Sequence, residues 1–207
     1  MYWPGSFALN TRRIEELAWA FHDFFVTAGR AVILPLYLGT FDRKSDQFRL
    51  PPATGSGRRD LVIQWVKDLR RSLDYLATRP DIDTTKLAFY GHSWGGIHWP
   101  IVLAVEPRIK VGISFVGGLA NVRWMPEIDP FNFIAWAQAP ILVLASRFDP
   151  RFPFETSQKP MFELAGAPAQ DKAMVVYDGS HYMPIDMVAR ESLAWLDRYL
   201  GPVRLAP

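Results

Sequence analysis

Apolar positions along this chain alternate between short continuous runs and longer stretches with helical spacing. The continuous runs are typical of parallel strands that are buried on both faces, and they lie at 31–36, 86–90, 111–116, 140–145 and 172–177. Helices are predicted between them, at 10–27, 59–78, 95–105, 156–165 and 187–200. This alternation predicts right-handed βαβ units that build a mostly parallel sheet with helices on both faces.

Local signals mark several element ends. Asn10-Thr11 is a candidate cap for the first helix, which carries Ile14, Leu17, Ala18, Phe21 and Phe25 on one face and ends before Gly29. Gly201-Pro202 stops the last helix. The opening residues 2–5 resemble the end of a strand and a loop, so we expect an α/β fold that lacks its first strands.

Composition fits one domain over residues 1–207. The chain is 49% apolar and 21% charged with a net charge of +2, and no basic cluster suggests a nucleic-acid partner. It contains no cysteine, which excludes disulfides, thiolate catalysis and cysteine-ligated metals. No apolar run approaches the roughly 20 residues of a membrane span, and no signal sequence opens the chain, so we expect a cytoplasmic protein. The oligomeric state is not indicated.

Residues 117–139 show no clean period and contain Trp124, Met125, Phe131, Phe133 and Trp136. Inserted after a predicted strand, this segment is a candidate lid or pocket wall. Aromatic packing beneath a long loop is the alternative, and the sequence leaves both open.

The pattern G-x-S-x-G appears at residues 91–95, between a predicted strand and a predicted helix. In this setting the pattern forms a nucleophile elbow, whose tight turn lifts the serine hydroxyl above the sheet edge. Gly91 and Gly95 suit the turn because side chains there would collide with neighbouring backbone. We therefore predict Ser93 as a nucleophile.

A serine nucleophile needs a base, and the base needs an acceptor that holds its tautomer. Of the four histidines, His181 alone follows the last predicted strand and comes after a candidate acid, in the serine–acid–histidine order of this architecture. Asp149, just past the strand 140–145, is the predicted acid. Asp178 is its rival, although the Asp178-Gly179 pair is also typical of a turn. His98 is expected beneath the pocket floor.

An oxyanion requires backbone N–H donors. The predicted donors are Trp94, which follows the nucleophile, and Ser6 in the loop after the first strand, with Phe7 as the next choice. Phe7, Trp124, Met125 and Tyr182 are predicted to line the substrate pocket. No residue cluster has metal-ligand spacing and no nucleotide-binding loop is present, so we expect no metal and no cofactor.

With these residues in place, the chain resembles α/β-hydrolases of the dienelactone hydrolase-like group. It is most similar to the hydrolase domain fused behind bacterial serine/threonine kinases. The resemblance is carried by Pro4-Gly5-Ser6, residues 28–43 (AGRAVILPLYLGTFDR), the elbow 91–96, residues 148–153 (FDPRFP), Lys159-Pro160 and residues 195–202 (WLDRYLGP).

The resemblance implies a serine, aspartate and histidine triad at Ser93, Asp149 and His181, and hydrolysis of esters or peptides without a cofactor. Three features depart from these families. This sequence includes no kinase domain, we expect the first strands of the fold to be missing, and dienelactone hydrolases proper use cysteine where this chain has Ser93.

We therefore expect a serine carboxylic ester hydrolase that forms an acyl-enzyme and acts on small apolar or aryl esters. Its partner would be a small-molecule ester. Two alternatives stay open: a serine peptidase resembling the catalytic domain of prolyl oligopeptidases, and a non-catalytic interaction domain.

Overall fold

A computed structural model describes residues 1–17 and 21–203 of the chain. The strands are β1 Tyr2–Trp3, β2 Leu87–His92, β3 Ile109–Phe115, β4 Ile141–Ser146 and β5 Lys172–Tyr177. The α-helices are α1 Asp23–Thr27, α2 Ser56–Leu76, α3 Trp94–Ile97, α4 Trp99–Val105, α5 Pro130–Phe133, α6 Lys159–Glu163 and α7 Ile185–Leu200.

Within the described residues, the five strands form one parallel sheet in the order β1-β2-β3-β4-β5. Each strand therefore pairs with the next one along the chain, and each connection crosses over a face of the sheet. All carboxyl ends meet at one edge, where β2 ends at His92 and β4 ends at Ser146. The predicted α/β architecture is confirmed.

Apolar side chains on successive strand residues point to opposite faces and build two cores. In β4, Ile141 and Val143 join the core that includes the buried face of α2, whereas Leu142 and Leu144 join the core beneath α7. A sheet covered on both sides explains why the strand sequences are continuously apolar.

The predicted helix over 10–27 is wrong in its extent. The structure has a 3-10 turn at Ile14–Glu16, extended backbone at Leu17 and only the short helix α1 farther on. The Thr11 hydroxyl donates back to the carbonyl of Phe7. The apolar period reflects burial, because Leu17 and Phe25 both lie in the core beneath α7. Ala18, assigned to the same face, lies outside the described residues.

The prediction of a strand at 31–36 is also wrong. The segment runs beside β1 but does not form a strand of the sheet. Tyr2 N–H donates to the Ile33 carbonyl at 2.8 Å. In a parallel ladder the Tyr2 carbonyl would next accept from the N–H of residue 35. That residue is proline and has no N–H, so the ladder does not continue.

Two further helices are less regular than predicted. The elbow helix divides into α3 and α4 at His98. The helix predicted at 156–165 begins as a π-helical turn, Phe154–Gln158, before α6. The predictions of α7 and of its stop are confirmed, with Gly201 at φ 78°. No helix in the described ranges is long and apolar enough to cross a membrane.

The turn after β2 packs directly against the backbone that follows β1. Gly95 N–H donates to the Pro4 carbonyl at 3.1 Å. A Cβ atom on Gly95 would lie 2.0 Å from the Trp3 carbonyl oxygen, a distance at which the two backbones cannot remain in place. This contact fixes the loop after β1 relative to Ser93.

Gly95→Ala is therefore expected to lower the free energy of unfolding by about 1–3 kcal/mol or more, because the added methyl group overpacks a rigid backbone contact. Urea unfolding followed by circular dichroism measures the change. Gly57→Ala in α2 is the matched control: its Cβ would make ordinary 3.4 Å contacts with Pro51. That variant should be neutral or up to about 1 kcal/mol more stable. Equal stabilities of the two variants would contradict the packing argument.

Candidate active site

Ser93 occupies a strained turn between β2 and α3. Its φ of 51° and ψ of −107° lie in a region that L-residues rarely adopt, and such outliers concentrate at functional sites. Ser93 N–H donates to the Phe115 carbonyl at 2.7 Å, which ties the turn to the end of β3. A Cβ on Gly91 would meet the Gly95 carbonyl oxygen at 2.6 Å. The sequence pattern thus has the expected elbow geometry.

Ser93, His181 and Asp149 are joined by two hydrogen bonds. Ser93 Oγ lies 2.9 Å from His181 Nε2, and His181 Nδ1 lies 2.8 Å from Asp149 Oδ2. All three residues are buried, with exposed fractions of 6%, 5% and 3% for Ser93, His181 and Asp149. The three residues chosen from separate parts of the sequence therefore meet at the carboxyl edge of the sheet.

The Asp149 carboxylate uses both oxygens. Oδ2 faces His181, while Oδ1 accepts from the N–H groups of Arg151 at 2.8 Å and Phe152 at 3.1 Å. The rival acid Asp178 lies elsewhere: it is exposed and pairs with Arg147 at 2.5 Å. His181 is therefore oriented by the carboxylate after β4.

The two N–H groups predicted as oxyanion donors are those of Trp94 in the elbow and Ser6 in the loop after β1. Among the described residues, neither Trp94 N–H nor Ser6 N–H donates to a protein acceptor. Trp94 opens α3, and Ser6 opens the 3-10 turn Ser6–Leu9 that follows β1. A Cβ on Gly5 would approach the Phe7 ring to 3.0 Å, so the absent side chain lets this loop fold tightly.

Aromatic rings surround one side of the Ser93–His181 pair. The Tyr182 ring is 4.9 Å from that of His181 and is half exposed, and the Phe152 ring lies at 6.0 Å. Phe7 packs 5.9 Å from the ring of His92, the neighbour of Ser93. Of the four predicted pocket residues, Tyr182 packs against the His181 ring, whereas Phe7 packs against His92, the neighbour of Ser93 in the chain.

The other two predicted pocket residues lie in the core that includes α2. Trp124 is buried with its ring 5.7 Å from that of His98, beneath the Arg58 guanidinium. Met125 packs against the same core.

The Asp129 side chain organises the chain around Trp124. It accepts from Trp124 N–H at 3.0 Å and from the Arg123 guanidinium at 2.5 Å. It also accepts from Phe131 N–H and so caps the helix α5. A lid function for 117–139 stays a prediction.

His92 and His98 flank the elbow and are both fully buried. His92 stacks on Phe115 at 4.9 Å, and His98 stacks on Trp3 at 4.5 Å with Nδ1 2.8 Å from the Trp94 carbonyl. The pKa of each histidine is lowered to about 3, mainly by burial, with nearby His181 and His22 as smaller causes at His92. Both rings are therefore neutral packing elements at neutral pH, which agrees with the expected position of His98 beneath the site.

Sequence reasoning missed Gln158 and Phe21. Gln158 is fully buried and bonds to the backbone around Asp149. Phe21 packs 4.5 Å from the His92 ring and 5.7 Å from Tyr182. The Gln158 position carried no local signal, since a glutamine at the end of an irregular turn ordinarily points to solvent.

No protein-family model matches the chain. Among curated proteins it is similar to the cutinase Est2 of Thermobifida alba, at 27% identity over 144 residues that cover 65% of this chain and 44% of the cutinase. The chain spans about half the length of the curated relatives it matches.

Solved structures agree on the fold. A cold-adapted esterase from an Arctic intertidal metagenomic library has a TM-score of 0.57 and 22% identity, covering 70% of this chain and 57% of the esterase. A Klebsiella pneumoniae protein assigned as a dienelactone hydrolase has a TM-score of 0.54 and 24% identity, covering 67% of this chain and 62% of that protein. The chain has the α/β-hydrolase fold.

Because His92 and His98 are buried and neutral, we expect the free energy of unfolding to decrease in acid. An unfolded histidine titrates near 6.5, above the native pKa of about 3 for His92 and His98, so below pH 6.5 the unfolded chain binds more protons. Their stabilising contribution is therefore complete above pH 6.5 and falls as the pH decreases toward 3. Between pH 7 and 5 each should cost about 2 kcal/mol of unfolding free energy.

His92→Phe keeps an aromatic ring against Phe115. Between pH 7 and pH 5 its free energy of unfolding should fall by about 2 kcal/mol less than that of the unaltered protein. Urea unfolding at pH 7 and pH 5 measures both differences. Identical pH dependence in the two proteins would contradict a neutral, buried His92.

Proposed function

We propose that this chain is a serine carboxylic ester hydrolase that works through an acyl-enzyme. One observation carries the proposal: the unbroken hydrogen-bond chain from Ser93 Oγ to His181 to Asp149, buried at the carboxyl edge of the sheet. A strained φ at Ser93 gives independent support, because an ordinary βα turn has no need of it.

In the first step Ser93 Oγ attacks the ester carbonyl carbon while His181 Nε2 takes the hydroxyl proton. An Oγ–C bond forms, and the carbonyl π electrons move to the oxygen as an oxyanion. Asp149 holds Nδ1–H of the ring and stabilises the imidazolium. This role fits an Asp149 carboxylate whose other oxygen is fixed by two backbone N–H groups.

The oxyanion would accept from the N–H groups of Trp94 and Ser6, which have no protein acceptor in the described part of the chain. When the oxyanion collapses, the bond to the alcohol oxygen breaks and His181 returns the proton to that oxygen. Water then attacks the acyl-enzyme by the same route, releasing the acid and restoring the Ser93 hydroxyl.

The substrate class we propose is a small ester with an apolar or aryl group. Its support is the aromatic lining next to the triad, where the half-exposed Tyr182 ring packs against His181 and Phe21. An apolar wall desolvates an acyl or aryl group favourably, whereas a negatively charged group would find no partner on those rings. The names of the similar proteins, cutinases and esterases, support an ester as the scissile bond.

Ser93→Ala is expected to reduce p-nitrophenyl acetate turnover by at least about a thousandfold, because the covalent step is lost while the fold is retained. Initial rates measured at 405 nm give turnover, and circular dichroism confirms folding. Ser180→Ala is the matched control, since Ser180 is exposed beside His181 and outside the hydrogen-bond chain. Turnover that persists in folded Ser93→Ala would overturn the proposal.

The same assay on a series of esters with short acyl, long acyl, aryl and negatively charged acyl groups tests the substrate class. We expect short acyl and aryl esters to have higher kcat/KM than esters with a charged acyl group. A peptide substrate cleaved faster than every ester in the series would instead favour peptidase activity.

A further inference from the structure

The proposed acid Asp149 lies on a turn whose side chains are mostly exposed and whose order depends on backbone contacts, among them Arg147 N–H to the Tyr177 carbonyl and Phe148 N–H to the Gly179 carbonyl, each at 2.9 Å. Arg147, Phe148, Pro150 and Arg151 are all exposed, and Phe148 is 67% exposed. Asp149 N–H reaches the Ser146 carbonyl only at 3.4 Å. The position of the carboxylate relative to His181 therefore depends on the contacts that hold the backbone of this turn.

Gln158 spans the base of that turn. Its Nε2 donates to the Ser146 carbonyl at 2.9 Å and to the Phe152 carbonyl at 2.7 Å, and its Oε1 accepts from Ser146 N–H at 3.1 Å. The residue has no exposed surface, so these bonds form where water cannot replace them. The Gln158 side-chain amide thus uses both of its N–H hydrogens and its oxygen on the turn that carries Asp149.

The two anchored residues stand three positions on either side of Asp149. Phe152 also donates its N–H to Asp149 Oδ1, so Gln158 holds the same residue that holds the carboxylate. Ser146 ends β4, which makes the rigid sheet the other anchor. The path from Gln158 to His181 therefore passes through three hydrogen bonds, Gln158 to Phe152, Phe152 to Asp149 and Asp149 to His181.

Gln158 is the last residue of an irregular helical turn. Residues Phe154–Gln158 form a π-helical turn, and such turns are rare and often mark functional sites. The neighbouring residue Ser157 directs its hydroxyl elsewhere, to the Leu119 carbonyl at 2.7 Å. Only one of two adjacent buried polar residues thus bonds to the Asp149 turn.

We infer that Gln158 is a positioning residue that clamps the Asp149 turn and so keeps Asp149 aligned with His181. This inference rests on the proposed function. Gln158 does not contact Ser93 or His181 and would act only through Asp149.

Gln158→Met tests the inference, because methionine has a similar volume and none of the three hydrogen bonds. We expect kcat for p-nitrophenyl acetate to fall about 10- to 100-fold with KM changed less than twofold, since the triad geometry and not substrate binding is disturbed. Gln158→Glu, which keeps the shape but lacks the amide donors, should also lower kcat.

Ser157→Ala is the matched control. It removes one hydrogen bond from the same turn, the bond to the Leu119 carbonyl, so it should lower stability while leaving kcat unchanged. A Gln158→Met protein with the kcat of Ser157→Ala would overturn the inference, whatever its melting temperature.

A second readout separates this inference from the proposed function and requires no turnover. The proton between His181 Nδ1 and Asp149 should give a downfield resonance in one-dimensional NMR that Asp149→Asn abolishes. We expect Gln158→Met to weaken or shift that resonance and Ser157→Ala to preserve it. If the unaltered protein shows the resonance but hydrolyses no ester, the proposed function fails alone. If Gln158→Met leaves the resonance unchanged, the positioning role fails alone.

Discussion

The close packing of the elbow against its neighbouring strands is the constraint on which the site depends. The turn at Ser93 leaves no room for a side chain at Gly91, Gly95 or Gly96, where an added Cβ would lie 2.0–2.8 Å from backbone atoms. Because these contacts join β2 to β1 and to the segment after β3, they fix three parts of the chain around one hydroxyl. The positive φ of Ser93 is held by that packing, so strain at one residue is offset by contacts made by its neighbours.

The rest of the site is held by hydrogen bonds instead of packing. Asp149 and His181 lie on connections beyond β4 and β5, which backbone hydrogen bonds from Arg147 to Tyr177 and from Phe148 to Gly179 still join. The Asp149 carboxylate is fixed by N–H groups of its own turn, and Gln158 connects that turn to β4. The serine is thus held by steric fit and its proposed partners by polar contacts, which predicts different sensitivities to mutation in the two halves of the site.

The sequence predicted what depends on burial and chain order. The strand at 172–177 has the predicted bounds, and α7 begins within two residues of its predicted start. Ser93, Asp149 and His181 could be selected because parallel strands bring their carboxyl ends to one edge, which makes order along the chain a spatial signal. The same logic failed at 10–27 and 31–36. There a buried apolar pattern is compatible with irregular backbone, and Pro35 removes a ladder donor that apolarity does not report. Gln158 could not be found at all, since its role depends on a tertiary contact.

The most direct test is covalent labelling of Ser93. The folded protein is incubated with a fluorophosphonate, and the adduct is located by intact-mass and peptide-level mass spectrometry. The account predicts a single adduct on the peptide that contains Ser93, and slower labelling when His181 is replaced by glutamine, because the hydroxyl then lacks its base. A folded protein that stays unlabelled, or an adduct on any other residue, would contradict the central claim that Ser93 is an activated nucleophile.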